Sequence, residues 1–403
     1  MGDLMISRRA QAVPASPIRK LIPYSDEAES KGIHVYHLNI GQPDLETPKI
    51  YFDRIRSFKG TDAYTNSAGL MELREKFAKY YKKWQIPFEK DEVIVTEGGS
   101  EAAIFAIAAV ADPGDEIIVI EPFYANYKAF AAMLNVKLIP VTSRTENGYE
   151  MPPISDFEKV LTSKTKAILF PNPGNPTGVV YTPEKLNEIV NFAVKHDLYV
   201  ISDEVYREIT FDGLKAHSTM EFGNYNNLIV IDSLSKRFNV CGARIGALAT
   251  KNKAIFNNVL KMAMMRLSPN RLSQYGAVGL FELDDSYYKA MVDEYQKRRD
   301  IVYDELSKVP GIVLSKPQGA FYFAAKIPVN DAEEFVKWML TSFSVSGKTT
   351  MVAPLSGFYV TPDLGKDEIR IAYVLKEKEL RQACQILKMG ISAYKSERKR
   401  VEV

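Results

Sequence analysis

Cysteine and histidine are scarce in this chain of 403 residues, and each scarcity excludes something. Two cysteines, Cys241 and Cys384, cannot build a disulfide framework or a four-ligand zinc site. Four histidines (His34, His37, His196 and His217) show no HExxH or similar ligand spacing, so no metal is expected. The longest apolar run, 102–111, is about half of the ~20 residues that a membrane span requires. The first stretch, MGDLMISRRAQAVPASP, lacks the apolar core of a signal peptide, and Ile6 stands where a myristoylation motif has Ser or Thr. Excess charge is missing too. With Lys+Arg 52 against Asp+Glu 50 the formal charge is +2, which leaves neither a nucleic-acid footprint nor an acidic tail. There is no repeat of solenoid period, no GxGxxG for a nicotinamide dinucleotide and no GK[ST] of a Walker loop. The expectation is a soluble protein of a reducing cytoplasm, with no metal, no membrane and no nucleic-acid partner.

What is present reads as alternating strands and helices. Apolar residues make up 46% and charged residues 25%, the mixture of a globular protein, and at roughly 150 residues per domain the length allows two or three domains. The first 40-odd residues read as an arm plus a short helix at 25–31. Leu70, Leu73, Phe77, Tyr80, Tyr81 and Trp84 then repeat at helical spacing. From there short continuous apolar runs at 93–96, 117–120, 167–170, 198–202, 228–231 and 245–249 alternate with helical stretches at 100–111 and 182–196. Thr182 is a fitting N-cap for the second, with Pro183 at the first helical position. Continuous rather than alternating apolar strands point to a mainly parallel sheet covered on both faces. A helix is expected over 286–309, stopped by Pro310-Gly311. Beyond it, 321–325, 332–343, 368–374 and a helix from Glu377 suggest a smaller α+β unit. The expected division is a large domain at 48–290 and a small one formed by 1–47 with 291–403, the N-terminal arm packing on the C-terminal unit. The basic tail 395–400 reads as a solvated helix end.

In an open parallel sheet, ligands sit beyond the carboxyl ends of the strands. Four such positions carry chemistry-bearing residues. Thr96-Glu97-Gly98-Gly99-Ser100-Glu101 leaves a strand and opens a helix, so it suits either a tight turn with a Ser N-cap or an anion at the positive helix end. Pro171-Asn172-Pro173-Gly174-Asn175-Pro176-Thr177-Gly178 is a stiff loop fit to hold the Asn175 amide in place. Asp203, in Ser202-Asp203-Glu204-Val205-Tyr206, either caps the next helix or faces a cation. Asp232-Ser233-Leu234-Ser235-Lys236, followed by Gly242-Ala243-Arg244-Ile245-Gly246, gathers donors for a phosphate and leaves one amine for chemistry. Asn175, Asp203 and Lys236 are 28 and 33 residues apart, one α/β step each.

These motifs, with NIGQPDLETP at 39–48 and DEIRIAYV at 367–374, resemble the pyridoxal 5'-phosphate (PLP) enzymes of fold type I, the class I/II aminotransferases of the aspartate aminotransferase family. The likeness covers 7–387; the order and spacing of the motifs together are specific, while Gln42 and Leu234 depart from the usual residues. The resemblance implies an aminotransferase that moves the amino group of an L-amino acid to a 2-oxo acid by a ping-pong Schiff-base mechanism, in a homodimer with shared active sites. Lys236 would be the Schiff-base lysine, Asp203 the partner of the ring nitrogen, and Asn175 and Tyr206 the partners of the ring oxygen. Tyr124 would stack on the ring. Gly99, Ser100, Ser233, Ser235 and Arg244 would hold the phosphate, with Tyr64 reaching in from the second subunit. Arg370 and Gly41 would receive the substrate carboxylate; the alternative for Arg370 is a salt bridge with an internal acid such as Asp367. Cys241 reads as a small filler. A PLP-dependent lyase (β-elimination or aminocyclopropane-forming) shares these residues and is the competing activity. The same fold also serves as the sensing domain of transcription regulators, but the arm before Asn39 leaves no room for a helix-turn-helix.

Overall fold

A computed structural model describes residues 5–223 and 225–401. Gly2 of the N-terminal stretch and the last two residues lie outside the described residues, as do the side chains at 398–401 and with them most of the basic tail.

Thirteen strands order the described residues: β1 (His34–His37), β2 (Val93–Thr96), β3 (Glu116–Glu121), β4 (Lys137–Thr142), β5 (Thr165–Pro171), β6 (Tyr199–Asp203), β7 (Leu228–Ser233), β8 (Gly246–Ala249), β9 (Val313–Leu314), β10 (Tyr322–Lys326), β11 (Lys348–Met351), β12 (Ala353–Pro354) and β13 (Glu368–Ala372). Seven of them form the central sheet in the order β2-β8-β7-β6-β5-β3-β4. Only β8 runs against its neighbours; β7, β6, β5, β3 and β4 pair in parallel. The sheet is buried on both faces, as the continuous apolar runs require. Along β3, Ile117 and Val119 pack on one side with the helices Gly99–Val110 and Lys253–Met265, while Ile118 and Ile120 pack on the other with Met71–Lys83 and Pro183–Lys195. Thr182 caps the last of these, accepting from the Lys185 amide.

Edge strand β4 has no counterpart in the pattern of apolar runs. Its sequence, KLIPVT, is half-exposed and contains Pro140, which can give no ladder hydrogen bond and is tolerated because the strand lies at the border.

The long helix spans Asp285–Leu306, capped by Asp284 and ending one turn earlier than expected. After it comes a four-stranded antiparallel sheet, β12-β13-β10-β9. The N-terminal stretch joins this part of the molecule: β1 pairs in parallel with β11, and Leu21, Val35 and Leu38 share a core with Val302, Phe335, Met339, Ile371 and Leu387. The chain then leaves β1 along β13, where the Ala372 amide donates to the Leu38 carbonyl at 2.7 Å. That path carries Asn39 and Gly41 to the carboxyl edge of the central sheet.

Candidate active site

A cavity of about 550 Å³ opens at that edge. Strand ends supply its floor. Gly99 and Ser100 follow β2, Tyr124 follows β3, Asn175 follows β5, Asp203 closes β6, and Ser233 closes β7, with Ser235 and Lys236 just beyond it. Tyr206, Arg244, Arg370 and Gly41 complete the set. Tyr64 is not part of it: the side chain is exposed elsewhere on the chain.

Lys236 sits on a four-residue helix, Leu234–Arg237, which is too short to hold itself. Ser233 caps it, its hydroxyl accepting from the Ser235 amide. At the other end the fully buried Arg237 ion-pairs with Asp232 and donates to Glu208 at 2.7 Å. Asp232 also accepts from the Ser233 amide (2.7 Å) and the Tyr81 hydroxyl (3.0 Å). Burial alone would raise the Asp232 carboxyl, but the Arg237 and Arg207 guanidiniums outweigh it and hold it below its ordinary value. The lysine is thus anchored from beneath while its amine stays in the cavity, donating to the Gly41 carbonyl at 2.9 Å. The Cys241 thiol lies 4.0 Å from that amine and donates to the Ser235 carbonyl.

Asp203 has the opposite surroundings. One oxygen accepts from the Tyr127 hydroxyl at 2.6 Å and the other from the Val205 amide at 3.4 Å. No cation pairs with it among the described residues, and burial pushes its carboxyl up to about 6. A carboxylate held there favours a positive partner arriving from the cavity.

Arg370 is buried, and no acid pairs with it among the described residues. Its Nη2 donates to the Asn39 carbonyl (2.6 Å), its Nη1 to the Asn175 side-chain oxygen (3.1 Å), and its Nε has no partner among the described residues. Tyr322 and Phe358 offer it only ring faces, at 4.5 and 5.1 Å. Asp367 pairs instead with Lys326, so the internal salt bridge is not made. Burial lowers the Arg370 pKa. A buried, unpaired charge of this kind costs several kcal/mol unless a ligand anion meets it. Gly41 is required nearby, since a Cβ there would fall 2.0 Å from the Tyr322 hydroxyl.

The helix Gly99–Val110 has Gly98 at its N-cap, with φ 79° and no side-chain cap, and Ser100 lies inside the helix rather than at its N-cap; uncapped amides at a helix start suit an anion. Arg244 stands beside them, reaching the Glu97 and Cys241 carbonyls. The approach is close: a Cβ on Gly98 would meet Arg244 at 2.5 Å, and one on Gly246 would meet Gly98 at 2.6 Å. Asn175 is held by a buried loop whose Gly178 (φ 71°) has no room for a Cβ against Pro317. Tyr206 and Tyr322 share a hydrogen bond of 2.9 Å between hydroxyls. Burial raises the pKa of both Tyr124 and Tyr206.

Uncapped helix amides with an arginine, a raised carboxyl without a cation, a free amine and an unpaired guanidinium thus share one cavity. The model for aminotransferases of class I and II matches residues 33–387. The chain belongs to the class I and II aminotransferase family. It is 32% identical over 379 residues to an aspartate aminotransferase of Sulfolobus acidocaldarius, covering 90% of this chain and 92% of that one. It is 30% identical over 389 residues to aromatic-amino-acid aminotransferase 2 of Thermococcus litoralis, covering 94% and 96%. Among solved structures, an alanine aminotransferase from Pyrococcus furiosus superposes with a TM-score of 0.89 at 31% identity, over 96% of this chain and all of that one. The fold is therefore that of PLP fold type I, and the protein is an aminotransferase. Enzymes of the family use PLP, and the donor set here suits it: an anion cradle at one end of the cavity and, at Asp203, a carboxylate awaiting a ring cation.

Sequence reasoning missed several contributors to the aminotransferase cavity, Tyr127, Tyr322, Ile18 and Arg19 among them. Tyr127 and Tyr322 looked like core aromatics, and Ile18 and Arg19 like part of an arm. The repeated aromatics of EPFYANY and GAFYF were the available signal for the tyrosines; nothing local marked the arm.

Proposed function

We propose that this aminotransferase binds PLP at Lys236 and exchanges the amino group of an L-amino acid with a 2-oxo acid. The observation that carries the reading is Arg370, a buried guanidinium whose Nε has no partner and which meets no acid among the described residues, in one cavity with Lys236. When bound, PLP supplies an aldehyde for the amine and a ring that withdraws electrons from the reacting carbon. Arg370 binds the α-carboxylate through its planar fork, and the Gly41 backbone flanks it. Lys236 takes the proton from the substrate α-carbon and returns it one position away, as base and then acid. Asp203 holds a proton on the ring nitrogen. Asn175 and Tyr206 donate to the ring oxygen, and Tyr124 covers a ring face. The Gly99 and Ser100 amides, Ser233, Ser235 and Arg244 hold the phosphate.

The division into 48–290 and 1–47 with 291–403 is supported by the separate core that the N-terminal strand shares with the C-terminal elements. A homodimer is supported by exposed apolar side chains, among them Tyr64, Met264, Met265 and Leu267, with the 61–67 stretch hydrogen-bonded to the 267–271 stretch; Tyr64 would then serve the partner's phosphate. Two unpaired thiols suit the cytoplasm, and no helix among the described residues is long and apolar enough to cross a membrane.

The test follows the visible absorbance of the PLP-loaded protein. An amino acid should change it and a 2-oxo acid should restore it, with borohydride reduction tagging Lys236 in peptide mapping. A tag on another residue, or ammonia release in place of reversible exchange, would overturn the proposal, the second in favour of a lyase.

A further inference from the structure

Four cationic side chains line the cavity against a single carboxylate, Asp203. Three of the four are already engaged. Lys236 holds the Gly41 carbonyl, Arg244 stands at the uncapped helix start, and Arg370 presents its fork from the floor. The fourth is Arg19, on the N-terminal arm. Arg19 lines the cavity and is exposed, and its side chain makes no hydrogen bond or ion pair among the described residues. Neighbouring Lys20 turns away to pair with Glu333.

The arm is held in place over the site. The Asn39 side-chain amide donates to the Ile18 carbonyl at 3.2 Å, and the Asn39 carbonyl accepts from Arg370 at 2.6 Å. Ile18 also packs against the cluster of Leu355, Phe358 and Tyr359. Arg19 is therefore one residue from a carbonyl that Asn39 links directly to the floor arginine. A substrate whose α-carboxylate meets Arg370 would extend its side chain towards the arm. Ile18 and Ile40 line the cavity there, and among the described residues Arg19 is the one charged group the arm adds to it.

We propose that Arg19 binds the second carboxylate of an acidic amino acid and of the corresponding 2-oxo dicarboxylic acid, and so sets the substrate class. This rests on the aminotransferase reading and deepens it. Charge matching supports it: the phosphate answers Arg244, the α-carboxylate answers Arg370, and a distal carboxylate answers Arg19. A neutral side chain would leave that guanidinium solvated beside Ile18 and Ile40.

The test compares PLP-loaded wild type with Arg19→Leu and Arg19→Lys. It measures kcat/KM for glutamate against alanine, and equilibrium binding of succinate against butyrate. Wild type should favour glutamate and succinate. In Arg19→Leu both preferences should fall by roughly 10–100-fold, the worth of one charge-assisted contact. Arg19→Lys should keep part of them, since it retains the charge without the fork. Taking ratios cancels any loss common to both substrates. A wild type that prefers alanine, or an Arg19→Leu protein with unchanged ratios, overturns the inference while leaving aminotransfer intact. If no amino acid changes the absorbance, the aminotransferase reading itself fails.

Discussion

Asp203 is a buried carboxyl pushed up to about 6 by its surroundings, and this makes it an internal probe of the site. In the cofactor-free protein the unfolded chain ionises near the ordinary Asp value of 3.8 and the folded chain near 6. Between those values the folded state binds more protons, so stability falls as pH rises through the window and is level above it. Two pKa units correspond to about 3 kcal/mol. Urea midpoints of the cofactor-free wild type should therefore drop between about pH 4 and 6, and Asp203→Asn should remove this part of the drop. Glu208, which burial pushes up to about 7, should keep a second decline in both proteins. The same substitution should weaken PLP binding at pH 7.5, because the ring cation loses its partner; unchanged loading would refute the pairing. Residues of this kind were legible because they end apolar strands, where polar side chains have no packing reason to be. Tyr127, Tyr322 and Arg19 were not, because each reaches the cavity only through the tertiary path of another segment, the arm in the case of Arg19.

At the level of elements, Lys236 depends on a helix of four residues clamped by a buried ionic cluster. Asp232 is the hub, facing Arg237 and Arg207 from the end of β7, while Glu204 and Glu208 take the outer positions. Removing the hub leaves two buried guanidiniums short of a counter-charge, a loss of about 3–5 kcal/mol. Asp232→Ala should accordingly lower the urea unfolding free energy by that amount and reduce borohydride labelling of Lys236 in whatever remains folded. A loss below about 1 kcal/mol, the scale of an exposed pair, would show that the cluster does not anchor the helix. The buried central strands were readable as continuous apolar runs. Strand β4 escaped because an edge strand needs neither full burial nor a complete ladder, so Pro140 broke the pattern without breaking the sheet. The pairing of β1 with β11 joins segments more than 300 residues apart, and no local periodicity encodes it.

For the whole molecule, the question is whether one chain holds a complete site. Tyr64 is 79% exposed and absent from its own cavity. It lies on a surface knitted to the 267–271 stretch, where Arg271 donates to the Thr61 and Ala63 carbonyls and Ser67 to the Leu267 carbonyl. Leu267 and the neighbouring Met264 and Met265 are exposed too. If two chains meet there, each active site contains Lys236 from one protomer and Tyr64 from its partner. Lys236→Ala dimers should then be inactive, and Tyr64→Ala dimers should load PLP poorly for want of one phosphate contact. A hybrid of the two carries both defects in one site and none in the other. Equal amounts, unfolded and refolded together, should recover roughly a quarter of wild-type activity, since half of the dimers are hybrids with one intact site of two. Each variant refolded alone sets the baseline, and sedimentation reports whether dimers formed. Dimers without recovered activity would place Tyr64 outside the partner's site, and a monomer with full activity would remove the shared-site architecture altogether.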